Sequence, residues 1–382
     1  MKRNILSIFA LAVAILTSGC DGTEPEYTIS GPVKEEGDDN PDDSGEETGE
    51  KTLKDAPYLI GCTVIPDNLR NYENYRNLVT TEFSSITAEN AMKMRNIWKA
   101  RDSYDFEDSD FLVNFAANNG LRIHGHTLVW YKNPPAWLQQ YDGQGEEVWK
   151  ELLHEYITTV VGRYKGRVAS WDVVNEAVNN NGTGFRGDDD IWYKNLGEDY
   201  IALAFQYAHE ADPDAVLLYN DYGMEWGSTK RGFICELISD LKKAGVPVDG
   251  IGIQMHVDID RKASDIKAAI DAAHDCGVMV HVSEMDVDMA HDDEREGENG
   301  SGDLKDGVTV SADDTERLEA QKKVFQAAAE ALGALPADDV YGFTTWGVKD
   351  SANPSASSLQ YPLLFDSNYQ KKPAYYGITE TF

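Results

Sequence analysis

Set against its acids this chain is short of basic residues, and it has few cysteines. Its 382 residues hold 34 Lys and Arg against 67 Asp and Glu, a formal net charge of −33. Such a surface repels phosphate backbones, which argues against nucleic acid as a partner. Four cysteines, Cys20, Cys62, Cys235 and Cys276, are scattered, with no CxxC and no metal-type spacing. They point to no disulfide framework, although a Cys235–Cys276 bridge stays open. The apolar run from Ile5 to Leu16 is too short to span a bilayer. No Gly-rich phosphate loop follows the first strand-like segment, which disfavours a doubly wound nucleotide-binding sheet.

The N-terminus has its own logic. Lys2 and Arg3 precede the short apolar run, which ends in Leu16-Thr17-Ser18-Gly19-Cys20. This resembles a bacterial lipoprotein signal, in which Cys20 becomes the lipidated first residue; an ordinary secretory signal is the alternative. Either way, residues 1–20 predict export, with membrane contact only through a lipid at Cys20. Residues 21–50 hold twelve Asp and Glu against Lys34 alone. A stretch this acidic and this poor in apolar residues cannot bury enough surface to fold, so 21–52 is expected as an extended linker. The folded part is then 53–382, expected as a monomer.

From Leu53 onward, short apolar runs alternate with helical patterns. Strands are predicted at Tyr58–Val64, Ser84–Glu89, Arg122–Trp130, Val168–Glu176, Ala215–Asp221, Gly250–Val257, Met279–Val287 and Val340–Val348. Continuous Val- and Ile-rich runs suit a parallel sheet covered on both faces. Between them, Ile201, Phe205, Ala208 and Ala211 space at three and four, and Leu318, Phe325, Ala328 and Leu332 at seven, three and four, all on one helical face. Gly120, Gly245 and Gly277 stand where helices should stop. Eight strands alternating with helices predict a single α/β unit, a (β/α)8 TIM barrel. One connection is oversized: residues 292–316 hold ten Asp and Glu against Arg295 and Lys305. This acidic insertion after strand 7 reads either as a solvated excursion or as a rim of the cleft.

Polar side chains gather at the predicted C-terminal ends of these strands, the face on which barrels do their chemistry. Strand 2 ends in Glu89 and Asn90, with Lys93 one turn on. Strand 3 carries His124, His126 and Trp130. Strand 4 ends Trp171-Asp172-Val173-Val174-Asn175-Glu176, strand 5 in Asn220-Asp221-Tyr222. Strand 6 brings Gln254 and His256, strand 7 Glu284 and Asp286, strand 8 Trp346. The imidazoles are outnumbered by amides and indoles, so no metal or other cofactor is expected. Amides and carboxylates suit sugar hydroxyls, and indoles suit the apolar face of a pyranose. Two carboxylates, Glu176 and Glu284, can then hydrolyse a glycosidic bond, with retention or inversion set by their separation. Asp286, two residues past Glu284, points to the same face of a regular strand. A His256 lying between them would be fixed by Asp286 and would keep Glu284 ionised. Glu176, beside apolar Trp171 and Val174, is the better acid.

These stretches together resemble glycoside hydrolase family 10, the endo-β-1,4-xylanase family. The resemblance rests on Thr87-Ala88-Glu89-Asn90 with Lys93, Gly125-His126-Thr127-Leu128-Val129-Trp130, Trp171 to Glu176, Gly252-Ile253-Gln254-Met255-His256, Ser283-Glu284-Met285-Asp286 and Thr345-Trp346-Gly347-Val348. It implies a retaining double displacement on xylan, with Glu176 as acid/base and Glu284 as nucleophile. It further implies Asn175 on the sugar 2-hydroxyl, and Glu89, Asn90, Lys93, His126, Trp130, Gln254 and Trp346 in the non-reducing-side subsites. Another β-1,4-glycan is the alternative substrate, and an inactive glycan-binding surface protein the alternative function. Three departures bear on subsite shape: Met94 stands where the family usually has Trp, Tyr131 where it has His, and Lys349 to Leu359 contains no Trp.

Overall fold

A computed structural model describes residues 50–297 and 302–382. The export signal, Cys20 and the linker up to residue 49 lie outside the described residues. Eight parallel strands form a closed barrel: β1 Ile60–Val64, β2 Ser85–Ala88, β3 Arg122–Gly125, β4 Ser170–Asn175, β5 Val216–Asp221, β6 Gly250–Ile253, β7 Met279–Asp288 and β8 Val340–Thr345. Each pairs with the next in sequence, and Ile60 of β1 lies opposite Phe343 of β8, which closes the ring. Nearly every strand residue is buried on both faces, as the continuous apolar runs require.

The principal outer helices are α1 Glu73–Glu82, α2 Glu107–Asn118, α3 Glu146–Arg163, α4 Asp199–Ala211, α5 Ser228–Lys243, α6 Ala263–Asp275, α7 Thr315–Gly333 and α8 Pro373–Thr379. The predicted helical stripes face inward: Ile201, Phe205 and Ala208 of α4 and Phe325, Ala328 and Leu332 of α7 are all buried. Asp314 caps α7 by accepting from Glu316 N and Arg317 N at 3.1 and 3.2 Å. Gly120, Gly245 and Gly277 take φ of 63°, 75° and 69° just after their helices, the left-handed turn that stops a helix.

Two predicted strands are broken. The third ends at Gly125 and resumes only at Val129–Trp130. The sixth ends at Ile253 and resumes at His256–Asp258, with Met255 between at φ 61°. Two other strands carry irregularities that re-aim side chains. Opposite β5, Asp172 and Val174 pair with consecutive residues Leu218 and Tyr219, so Val173 is an extra residue. Opposite β8, Val282 and Met285 pair with Phe343 and Thr345, leaving Ser283 and Glu284 opposite one residue. Bulges of this kind bend a strand and turn its side chains, and here both lie at or just before a candidate catalytic Glu.

Cys62, Cys235 and Cys276 are free thiols, so the Cys235–Cys276 bridge left open by the sequence is not formed. Both Sγ atoms instead face the Ala272 carbonyl oxygen, at 3.4 and 3.1 Å. The described part of the acidic insertion is also anchored. Buried Arg295 donates from Nε to Asp288 at 2.7 Å and also holds the carbonyls of Gly302 and Ser358. Arg317 of α7 clasps Glu294 with two bonds of 2.6 Å. Met289, Ala290 and Val310 form a small separate apolar cluster under this segment.

Candidate active site

The C-terminal mouth of the barrel opens into a cavity of about 730 Å³. Its lining includes Glu176, Glu284, His256, Gln254, Trp130 and Trp346. Their strands end at one rim, which is why residues more than a hundred positions apart meet.

Glu284 is held from several sides. It is 4% exposed. Its Oε1 accepts from Asn220 Nδ2 at 2.6 Å and lies 3.9 Å from His126 Nδ1. Its Oε2 lies 3.3 Å from His256 Nε2. On the far side of that ring, Nδ1 is 3.0 Å from Asp286 Oδ2, and the strand register sets His256 directly opposite Asp286. An ionised carboxylate only accepts, so a ring between two carboxylates must donate at both nitrogens, which only the imidazolium does. Burial alone would lower the His256 pKa, but Asp286 and Glu284 outweigh it and raise it well above the ordinary histidine value. For Glu284, burial raises the pKa, and His126 and His256 outweigh it and hold the carboxyl below its usual range. Asp286 goes the other way: burial raises it, with His256 only partly offsetting this.

Glu176 is held differently. It takes φ 57°, a left-handed conformation uncommon for a side-chain-bearing residue. Its backbone N–H donates to Asn220 O at 2.8 Å, and its carbonyl accepts from Arg186 Nε at 2.5 Å. Gln254 Nε2 donates to Oε1 at 3.1 Å. Its Oε2 is buried without a hydrogen-bond partner, with Lys132 Nζ and Arg186 Nη2 at 3.8 and 3.9 Å. Asn175 Oδ1 accepts from Asn220 Nδ2 at 2.8 Å and from Gln254 Nε2 at 3.2 Å. Turned over, the same amide would accept from Trp130 Nε1 at 3.2 Å, so it has two sets of partners.

The other predicted residues spread outward. Lys93 Nζ sits over the rings of Trp130 and Trp346, at 4.9 and 5.6 Å from their centres. Desolvation lowers its pKa against the pull of Glu284, Glu89 and Glu176. It donates to Asn90 Oδ1 at 3.1 Å, and Asn90 Nδ2 donates to Glu89 Oε1 at 3.0 Å, a chain running away from the centre. Glu89 and Asn90 face smaller adjoining pockets rather than the main cavity. Trp346 stands edge-on to His126 and His256, with centres 5.2 and 6.1 Å apart. His126 is fixed by Asp172 Oδ2 at 2.8 Å. Buried Asp172 also lies 2.9 Å from His124 Nε2; burial raises its pKa, and the two imidazoles outweigh this and bring it below the usual range.

Sequence reasoning left Asn220 out of the site, although it noted it at a strand end. Its Nδ2 is shared by Asn175 and Glu284, and its Oδ1 accepts from Ser283 Oγ at 2.6 Å. Gly252 on β6 leaves it room: a Cβ there would sit 2.2 Å from that Oδ1. Lys132, Arg186 and Trp226 were also missed, because they lie on loops without strand periodicity, and Tyr222, like Asn220, stood only as part of a strand end. The departures now have shapes. Met94 is buried at the edge of a side pocket of about 270 Å³. Tyr131 lies under the Arg186 guanidinium at 3.8 Å. The stretch without Trp supplies Leu359 to the cavity wall.

Residues 50–381 match glycosyl hydrolase family 10. This chain belongs to that family. A relative named beta-1,4-xylanase, from Dictyoglomus thermophilum, is 38% identical over 329 residues, covering 85% of this chain and 88% of its own. Endo-1,4-beta-xylanase B of Thermotoga neapolitana is 34% identical over 317 residues, covering 82% and 84%. Among solved structures, xylanase 10B from Thermotoga petrophila in complex with xylobiose is 33% identical, with a TM-score of 0.76 over 88% of this chain and 98% of that one. Membership accounts for the closed barrel.

Proposed function

We propose that this chain is an endo-β-1,4-xylanase that cleaves internal bonds of xylan with retention. The observation that carries the reading is the unequal treatment of two carboxylates in one sugar-sized cleft. Glu284 has its charge stabilised by Asn220, His126 and the His256–Asp286 pair, as an attacking group requires. Glu176 keeps one buried oxygen without a hydrogen-bond partner, free to carry the proton that an acid hands over.

In the first step Glu284 attacks the anomeric carbon, the bond to the leaving sugar breaks, and Glu176 gives its proton to the departing oxygen. In the second, water attacks the same carbon, Glu176 takes the water's proton, and the bond to Glu284 breaks. Asn175 holds the sugar 2-hydroxyl at the cleavage point. Lys93, His126, Trp130, Gln254 and Trp346 line the non-reducing-side subsites, with Glu89 and Asn90 farther out. Names of relatives support xylan as the substrate, since those matched at 34–38% identity are called xylanases. Export and a lipid at Cys20 belong to the same proposal, supported by the sequence of residues 1–20.

Proton NMR of the first products from xylan, run beside mixed-linkage glucan and cellulose, tests this. The expected outcome is short β-1,4-xylo-oligosaccharides whose new reducing ends appear first in the β configuration. Initial α products, or faster release from either glucan, would overturn it.

A further inference from the structure

Away from the two catalytic carboxylates, at the outer end of the sixth strand, stand three more acids: Asp258, Asp260 and Asp292. One carboxylate oxygen from each lies within 4.8 Å of the others. Asp258 closes the segment His256–Asp258; Asp292 opens the acidic insertion. The chain positions all three by its own turns. Asp260 N donates to Asp258 Oδ1 at 2.8 Å, Asp292 N donates to Asp260 Oδ2 at 3.1 Å, and His291 Nδ1 contacts Asp260 Oδ1 at 2.9 Å.

Two oxygens are left over. Asp258 is 3% exposed, and its Oδ2 has no hydrogen-bond partner. Asp292 Oδ1 is likewise buried without one. Arg261 gives Asp258 only a long ion pair, its Nη2 3.9 Å from Oδ2, because its guanidinium lies over the Trp226 ring at 3.8 Å. Carboxylate oxygens are acceptors only, so buried ones facing each other require something positive between them.

We propose that Asp258, Asp260 and Asp292 form a calcium site that clips the acidic insertion to the end of the sixth strand. The donors are all hard oxygens, the set that a hard divalent cation takes. Three carboxylates leave several positions for water, which suits the six to eight ligands of Ca²⁺ and its loose geometry better than the strict octahedron of Mg²⁺. Exposed Asp260 gives the ion its way in. The insertion already has apolar and Arg anchors at Arg295 and Arg317; the cation adds one at its very start. Asp258 also lines the cavity, two residues beyond His256, so the ion braces one wall of the cleft.

The test uses the full chain, stripped with EDTA and held at pH 8, with Ca²⁺ or Mg²⁺ added as chloride. Isothermal titration should show one Ca²⁺ bound per chain, and thermal unfolding should show a Tm that climbs with Ca²⁺ concentration and much less with Mg²⁺. Asp292→Asn should lose at least tenfold in Ca²⁺ affinity and most of the Tm rise, while still hydrolysing an aryl β-xylobioside. Asp260→Asn, at an exposed position, should do the same and guards against a folding defect at position 292. No Ca²⁺ heat and no Tm change up to 5 mM would overturn the site. So would an undiminished Tm response in both variants, which would place the ion elsewhere.

Discussion

Replacing Asp286 with Asn tests the mechanism at its most exposed joint. The side chain keeps its shape and loses its charge. In the native site His256 is shared between Asp286 at 3.0 Å and Glu284 at 3.3 Å, and the first contact is the shorter. A hydrogen bond to a charged group contributes about 1.5–3 kcal/mol, and a neutral one about 1 kcal/mol. The substitution therefore removes about 0.5–2 kcal/mol of the preference for a charged ring. Part of that preference stabilises the carboxylate of Glu284. Passed on in full to the transition state, the loss is about 2- to 30-fold in kcat/KM, at 1.36 kcal/mol per factor of ten. The pH profile carries the sharper signature. Glu284 has a depressed pKa and must be ionised to attack, so the acidic limb of kcat/KM follows its ionisation. A cation held less firmly beside it stabilises the Glu284 carboxylate less, which raises its pKa, and the acidic limb should move to higher pH. The assay is kcat/KM for an aryl β-xylobioside across pH 3 to 8, with Tm measured on the same samples. A variant that loses activity while its acidic limb stays in place would refute the idea that Asp286 acts through the charge on His256.

Two further outcomes follow from the same geometry. Glu176→Ala should cost xylan hydrolysis the general-acid contribution of about 10²- to 10⁴-fold, and should cost an aryl glycoside with a good leaving group at least tenfold less in kcat/KM; equal losses would remove the acid role. Arg317 holds the Glu294 pKa down to about 2 from 4.5. A depressed carboxyl stabilises the fold above its unfolded value and loses that contribution as pH falls through the folded one. The stability gap between the native chain and Glu294→Gln should thus be flat above about pH 4.5 and close by about pH 2 in urea titrations, whereas a gap independent of pH would contradict the pairing.

Much of this was legible beforehand, for identifiable reasons. The barrel showed because its strands are buried on both faces, which leaves unbroken apolar runs, and because Gly120, Gly245 and Gly277 mark the helix ends. Glu284, Asp286 and His256 were legible as a trio because β7 keeps its period of two from 284 to 286 and the neighbouring segment pairs with it in register. The breaks after Gly125 and Ile253 were not legible. Nothing in Thr127-Leu128 or Met255 signals that a strand must stop there; the bends are imposed by neighbours. The bulge at Val173 was equally silent. It turns both Asp172 and Asn175 toward the site's hydrogen bonds, three residues apart, where strict alternation would send them to opposite faces. Asn220 stood out only as a polar strand end, because its importance lies in what it touches, and a lone Asn at a strand end has many ordinary explanations.

That single amide has a wider consequence. Asn220 reaches Glu284 with the same nitrogen that reaches Asn175, and its carbonyl receives the backbone of Glu176. The acid side and the attacking side are thus jointed through one residue, and neither can be retuned alone. Substitutions on the fourth and seventh strands that look independent should prove non-additive in a double-mutant cycle, with Asn220 carrying the coupling. A redesign of this cleft for another glycan would have to treat the fourth, fifth and seventh strands as one moving part.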